Sequence, residues 1–145
     1  MYDYHELQTE ALWVQTLLNL DSLYDAVRVA DAGFSATELN TISGSLVSLR
    51  QSGLLSTTSL EELDSLQSIF ADAITRETLG FRNAFDGIFD PEYGDIGRVV
   101  EVPILSENGK RAKMLMQDLL SIRAKREALR ARIDTELQMA RLLAA

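Results

Sequence analysis

Apolar residues recur along most of this chain at steps of three and four, the spacing that lays them on one face of an α-helix. Leu7, Ala11, Val14 and Leu18, then Leu17, Leu20, Tyr24 and Val27, keep such a face from near Tyr4 to Ala30, with Trp13 beside it. The pattern fits one helix, or two meeting at Asp21-Ser22, and Gly33 supplies a stop. Ser35-Ala-Thr-Glu38 has capping-box spacing and opens a second helix with Leu39, Ile42, Leu46 and Leu49 on one side. Its other side, Ser43, Gly44, Ser45, Ser48 and Ser52, is small and polar. That composition suits either a solvated face or the close approach of another helix. Gly53 ends this helix.

Thr58-Ser-Leu-Glu61 and Ser59-Leu-Glu-Glu62 offer two overlapping capping boxes for a third helix, with Leu60, Leu63, Leu66, Phe70, Ala73 and Ile74 as its buried stripe. Gly80 interrupts it. Phe81, Phe85, Ile88 and Phe89 then suggest a further short helical piece, broken by Gly87 and ended by Asp90-Pro91. Val99, Val100, Val102, Ile104 and Leu105 form a β-prone run, but Pro103 demotes it to an extended arm or an edge strand. The arm, at about 96–105, either lines a neighbour's surface or lies across its own helices. Ser106-Glu-Asn-Gly109 reads as a second turn.

The last third carries the strongest pattern. Ala112, Leu115, Leu119, Ile122, Arg126, Leu129, Ile133, Glu136, Ala140 and Leu143 alternate steps of three and four, the seam of a coiled coil over about four heptads. Neither Pro nor Gly occurs from Lys110 to Ala145. At about 1.5 Å per residue the helix is roughly 50 Å long, too long for a small domain to cover alone. Leu115 to Ile122 are expected against the chain's own bundle, and Leu129 to Leu143 against a partner, with Arg126 and Glu136 fixing register. The expected fold is therefore all-α: a small antiparallel bundle (1–95), an arm and turn (96–109), and a long amphipathic, coiled-coil-like helix (110–145), within a single domain.

Charge sharpens this picture. The net charge is −8, yet the residues before Ser106 hold five Arg against seventeen acidic groups, while the remainder holds nine basic groups against five acidic ones. Every Lys lies in the terminal segment. A chain polarised in this way can dock on copies of itself or fold its basic helix onto its acidic part.

Candidate chemistry is sparse. The chain has no Cys and a single His, His5, which disfavours disulfides, thiolate catalysis, triads and His- or Cys-based metal sites. No phosphate-binding Gly loop is spelled out. Asp86, Asp90, Glu92 and Asp95 cluster around Pro91 without the alternating ligand spacing of a calcium loop, and are better explained by turn formation. No catalytic, cofactor or metal site is expected. Arg123, Lys125 and Arg130 raise nucleic-acid binding by a basic helix, although Asp118, Glu127 and Asp134 interleave with them and no aromatic follows Tyr93. The N-terminus lacks the basic start and apolar stretch of a signal peptide, and no apolar run is long enough to span a bilayer. The expected location is the cytoplasm or an assembled particle.

Thr41-Ile-Ser-Gly-Ser-Leu-Val-Ser-Leu49, a Ser/Thr-rich linker, a Leu-spaced helix and Phe89-Asp-Pro-Glu-Tyr-Gly94 together resemble, over about 50 residues, the layout of conjugative-transfer minor-pilus proteins. The resemblance implies a helix, a linker, an aromatic-Pro-Gly break and a long terminal helix. The chain departs from that family in lacking a signal peptide and a Gln-rich tail.

From these features the expected role is a non-enzymatic structural or adaptor subunit of a multi-protein assembly, such as a phage or virus particle or a secretion or transfer machine. Its partners would be itself or other subunits. The expected contacts are Leu129, Ile133, Leu137, Ala140 and Leu143 on the seam, and Val99, Val100, Val102 and Ile104 on the arm. The alternative is a nucleic-acid-associated regulatory or packaging factor acting through Arg123, Lys125 and Arg130.

Overall fold

The computed structural model describes residues 4–30 and 32–144, with the side chains of 4–7, 89, 90 and 95 outside that description. Its elements are α1 (Tyr4–Val29), α2 (Ala36–Ser52), α3 (Ser59–Arg76), β1 (Thr78–Asp90), β2 (Gly94–Leu105) and α4 (Glu107–Ala144). The four helices form a ring in which α1 packs on α2, α2 on α3, α3 on α4, and α4 back on α1. α2 and α3 run antiparallel, and so do α4 and α1, as the cross-links between them show. Ser48 bonds Glu62 and Arg76 bonds Glu38 between α2 and α3, and Lys125 bonds Asn19 and Arg132 bonds Gln8 between α4 and α1. The chain is thus mostly helical but not all-α, because a long antiparallel β-hairpin is inserted between α3 and α4.

The core is built from most of the stripes that helical spacing marks out. Val14 and Leu18 of the expected α1 face and Leu60 of the expected α3 stripe are exposed, because the bundle covers each helix on one side only. Leu20, Leu23 and Val27 of α1, Ile42, Leu46 and Leu49 of α2, Leu63, Leu66, Phe70 and Ala73 of α3, and Ala112, Leu115, Leu119 and Ile122 of α4 are all buried together. Phe34, in the α1–α2 connection, lays its ring on Phe70 at a centroid distance of 5.7 Å. One continuous helix spans Asp21-Ser22 rather than two.

The caps follow the sequence in part. Ser35 forms the expected capping box: its Oγ accepts from the Glu38 amide at 3.1 Å, and Glu38 Oε1 accepts from the Ser35 amide at 3.0 Å. At α3 the expected boxes do not form. Thr58 stands at the N-cap without a side-chain cap bond, and Ser59 Oγ instead donates to the Ser56 carbonyl at 2.6 Å. The turn expected at Ser106–Gly109 is the first turn of α4. Ser106 Oγ accepts from the Gly109 amide at 3.1 Å and donates to Glu77 Oε2 at 2.7 Å, while the Ser106 amide donates to the Glu77 carbonyl at 3.0 Å. This clamp closes the base of the hairpin and brings the end of α3 to the start of α4.

The hairpin corrects one expectation and decides between the alternatives of another, an extended arm or an edge strand. The short helical piece at Phe81–Phe89 is β1, and the arm at 96–105 is β2, paired to it from Thr78↔Leu105 to Asp90↔Gly94 with an irregularity at Thr78/Gly80. Pro91, Glu92 and Tyr93 make the turn, and Gly94 takes the left-handed conformation (φ +82°) that closes a three-residue hairpin loop. Asp90-Pro91 therefore ends a strand, and the segment likened to a break between helices is the hairpin tip. Gly87 and Gly97 face each other across the ladder. A Cβ on Gly87 would lie 2.5 Å from the Gly97 Cα and against the Ile96 carbonyl oxygen, so two glycines let the backbones approach here.

Candidate interaction surfaces

Exposed apolar side chains gather most densely in two regions of the chain, although Val14, Leu18, Val29, Leu60 and Met114 are exposed elsewhere. The hairpin is the first. At about 3.4 Å per residue its thirteen-residue β1 is roughly 40 Å long, and a two-stranded ladder has no sheet or helix layer to bury either face in full. Successive residues point to opposite faces, so the register places Phe81, Phe85, Val99 and Pro103 on one face and Arg82, Asp86, Ile88, Ile96, Arg98 and Val102 on the other. Phe85 and Val99 stand directly opposite each other, an aromatic with a β-branched residue, a pairing that steadies a ladder. Even so, Phe81 (63%), Phe85 (51%) and Val99 (66%) keep most of their surface exposed. On the second face Arg82, Val102 and Ile104 lean toward Lys110, Lys113 and Met114 at the start of α4, forming a shallow groove with a basic rim.

The arm residues named from sequence therefore lie on a paired strand. Val99 is exposed, Ile104 is partly so, and Val100 and Val102 are half-buried. Paired with β1 along its length, the arm does not lie across the bundle's helices as a loop.

The far end of the α1–α4 pair is the second region. Beyond the α2–α3 loop only α1 and α4 continue, as an antiparallel two-helix extension held by Thr9 Oγ1 donating to Glu136 Oε1 at 2.9 Å and by Arg132 Nη2 donating to Gln8 Oε1 at 3.2 Å. Leu129 is fully buried within the chain, so its seam contact is intramolecular; Ile133 and Glu136 are half-buried against α1. Leu137, Ala140 and Leu143 are exposed, with Met139 and Leu142 beside them. The seam is thus occupied by the chain's own helices up to Glu136 and exposed beyond it among the described residues, which moves the division expected after Ile122 toward the C-terminus.

Arg126 does something that seam reasoning missed. Its side chain is 3% exposed, and its Nε donates to the Leu54 carbonyl at 2.6 Å; Nη2 donates to Ser59 Oγ at 3.1 Å and Nη1 to Glu127 Oε1 at 2.6 Å. It is a bracket on the α2–α3 loop, not a register mark on a partner seam. Sequence gave no sign of the acceptor, because Leu54 contributes a backbone carbonyl.

The basic trio proposed for nucleic acid is dispersed. Arg123 Nη1 is engaged by Asp64 Oδ1 at 2.7 Å and Gln67 Oε1 at 2.9 Å, Lys125 Nζ donates to Asn19 Oδ1, and Arg130 is exposed. The charge asymmetry of the chain is thereby spent in part on helix pairing, with the basic α4 docked on acidic and amide groups of α3 and α1. The small face of α2 is not a close helix contact at Gly44, where a Cβ would meet nothing within 4 Å, and Ser48 is used to bond Glu62.

Among the described residues no group of His, Cys, Asp and Glu is arranged to hold a metal ion. His5 and the Asp90 and Asp95 carboxylates of the acidic turn lie outside the described side chains. No helix among the described residues is long and apolar enough to cross a membrane. The chain matches no protein-family model, no curated protein and no solved structure.

Proposed function

We propose that this chain is a non-enzymatic structural or adaptor subunit of a multi-protein assembly, acting by surface packing. The observation that carries the reading is the hairpin. A two-stranded ribbon is marginally stable in water by itself, and this one holds Phe81, Phe85, Ile88, Ile96 and Val99 in solvent beyond the core. Exposed apolar patches on soluble monomers commonly mark a contact surface, and Phe81, Phe85 and Val99 share one face of this ribbon. The open end of α4, with Leu137, Leu142 and Leu143, supplies a second contact at the opposite end of the bundle. A body with contacts at both ends suits a subunit that joins neighbours, as in a particle or a secretion or transfer machine.

The test is absolute mass by light scattering on three chains: the full chain, one with residues 81–103 replaced by a short turn, and one ending at Glu136. A defined oligomer, or a complex with a co-expressed neighbour, that is lost in either shortened chain while helical content persists supports the reading. A monomer at every concentration, together with no protein retained by the full chain beyond those retained by the shortened ones, overturns it.

A further inference from the structure

We propose that the outer edge of β1 is a self-association edge that pairs antiparallel with β1 of a second copy of this chain, centred on Ala84, to make a four-stranded sheet in the order β2–β1–β1–β2. This rests on the reading of the hairpin as a contact surface and names its occupant.

Both outer edges of the ladder lack a strand partner among the described residues. The two edges are not equivalent. β2 contains Pro103, which has no N–H to donate and is a usual device for blunting an edge, and β2 is also the strand that packs beside α4. β1 contains neither Pro nor Lys. Its backbone groups are an open template.

The side chains specify the partner and the register. Two antiparallel copies related by a two-fold axis must place residues of the same face opposite each other. Centring on Ala84 sets Arg82 against Asp86 of the second copy and Asp86 against its Arg82, two reciprocal opposite-charge pairs. They are also the only charged positions between Gly80 and Gly87, so no like-charge pair arises there. On the other face the same register lays Phe81 of each copy across from Gly87 of its neighbour, where an aromatic ring covers a residue with no side chain. It also puts Phe85 across from Asn83. Moving the centre by one residue to Asn83 or Phe85 loses both charge pairs at once. Asp86 already faces Arg98 within its own hairpin, so charge alternates across the completed sheet as Arg98, Asp86, then Arg82 of the second copy. The antiparallel arrangement further brings each hairpin tip, acidic in sequence at Asp90, Glu92 and Asp95, to the base of the other, where Arg82, Lys110 and Lys113 line the groove.

The experiment uses the full chain. Arg82→Asp and Asp86→Arg are made singly, and mass is measured by light scattering for each variant and for their equimolar mixture. Each single variant faces like charges twice and is expected as a monomer. The mixture restores both pairs and is expected as a heterodimer. The chain has no cysteine, so Ala84→Cys adds a register probe. Facing Cα atoms in an antiparallel pair are about 4.5–5.5 Å apart, within disulfide reach, and mild oxidation is expected to give a covalent dimer. Ile88→Cys, about 27 Å from its counterpart at about 3.4 Å per residue, is expected to stay uncrosslinked. A self-association that ignores both charge variants and vanishes on ending the chain at Glu136 overturns this inference while leaving the proposed function standing. A wild-type chain that is monomeric, or that binds only a foreign strand or helix at this edge, also overturns it.

Discussion

The Arg126 Nε donates a 2.6 Å hydrogen bond to the Leu54 carbonyl across 72 residues of sequence, inside a site where Leu54 is fully buried. A buried guanidinium is costly unless its donors are satisfied. Here Leu54, Ser59 and Glu127 satisfy them. The loop between α2 and α3 is thereby tied to α4 at the level where the four-helix bundle gives way to the α1–α4 extension.

Arg126→Met retains much of the volume but leaves the Leu54 carbonyl without its donor. A loss of about 2–4 kcal/mol is expected from the charged hydrogen bond and the stranded acceptor together, read as a lowered urea midpoint at unchanged m-value. Ser59→Ala, which removes one acceptor of several, is expected to cost about 1 kcal/mol. An Arg126→Met chain as stable as the parent would show that the bracket does not matter.

Glu38 joins the capping box of α2 to the end of α3 through two 3.0 Å bonds from Arg76. The Arg76 guanidinium, and next the Ser35 amide, hold the Glu38 carboxyl below its ordinary value of 4.5. The contribution to stability is therefore fully present above that value and is lost as pH falls through the lower folded-state value. The urea midpoints of wild type and Glu38→Gln are expected to differ near neutral pH and to converge in acid below 4.5. A gap that widens in acid would reverse the sign and refute the assignment.

Glycine substitutions are expected to separate by site. Gly44→Ala adds a methyl into open space in the middle of an exposed helix face and should stabilise by about 0.5–1 kcal/mol. Gly109→Ala puts a Cβ 3.0 Å from Glu77 Cβ and 3.1 Å from Leu105 Cβ, at the clamp under the hairpin. Overpacking of about 1–3 kcal/mol should outweigh the gain in helix propensity. Thermal melts of the two variants, moving in opposite directions, check both.

Gly97→Ala should damage the hairpin alone. Gly97 has φ +152°, and a Cβ there would lie 2.5 Å from Gly87 Cα and against the Asp86 carbonyl oxygen. Amide exchange is expected to lose protection in β1 and β2 while the amides of the core helices keep theirs. Equal loss in the helices would mean that hairpin and bundle unfold as one unit.

Among the described residues, ending the chain at Glu136 removes only exposed positions of α4. The melting temperature is expected to fall by no more than about 2 °C, since surface positions contribute little to stability. A large drop would place the terminal turns within the folding unit.

The helices, most of their core stripes and the Ser35 cap were legible in the sequence, because an amphipathic helix encodes its buried face locally at every third and fourth residue; Val14, Leu18 and Leu60 fit the spacing yet are exposed. The hairpin was not, and the reason lies in Phe81, Phe85 and Phe89. Their spacing of four is even, so it satisfies one face of a helix and one face of a strand alike. Gly80 and Gly87 spoke against a helix, but the β-prone run at 99–105 became a strand only when a partner stood beside it, and pairing is a property of two distant segments. The same logic governs α4. The sequence set its length and its seam, while the tertiary structure decided which part of that seam is already filled: up to Glu136 by α1 and α3, and beyond it by no side chain among the described residues. Arg126 marks the division most clearly. Its charge was visible, but its role depends on a backbone carbonyl 72 residues away, which no side-chain pattern encodes.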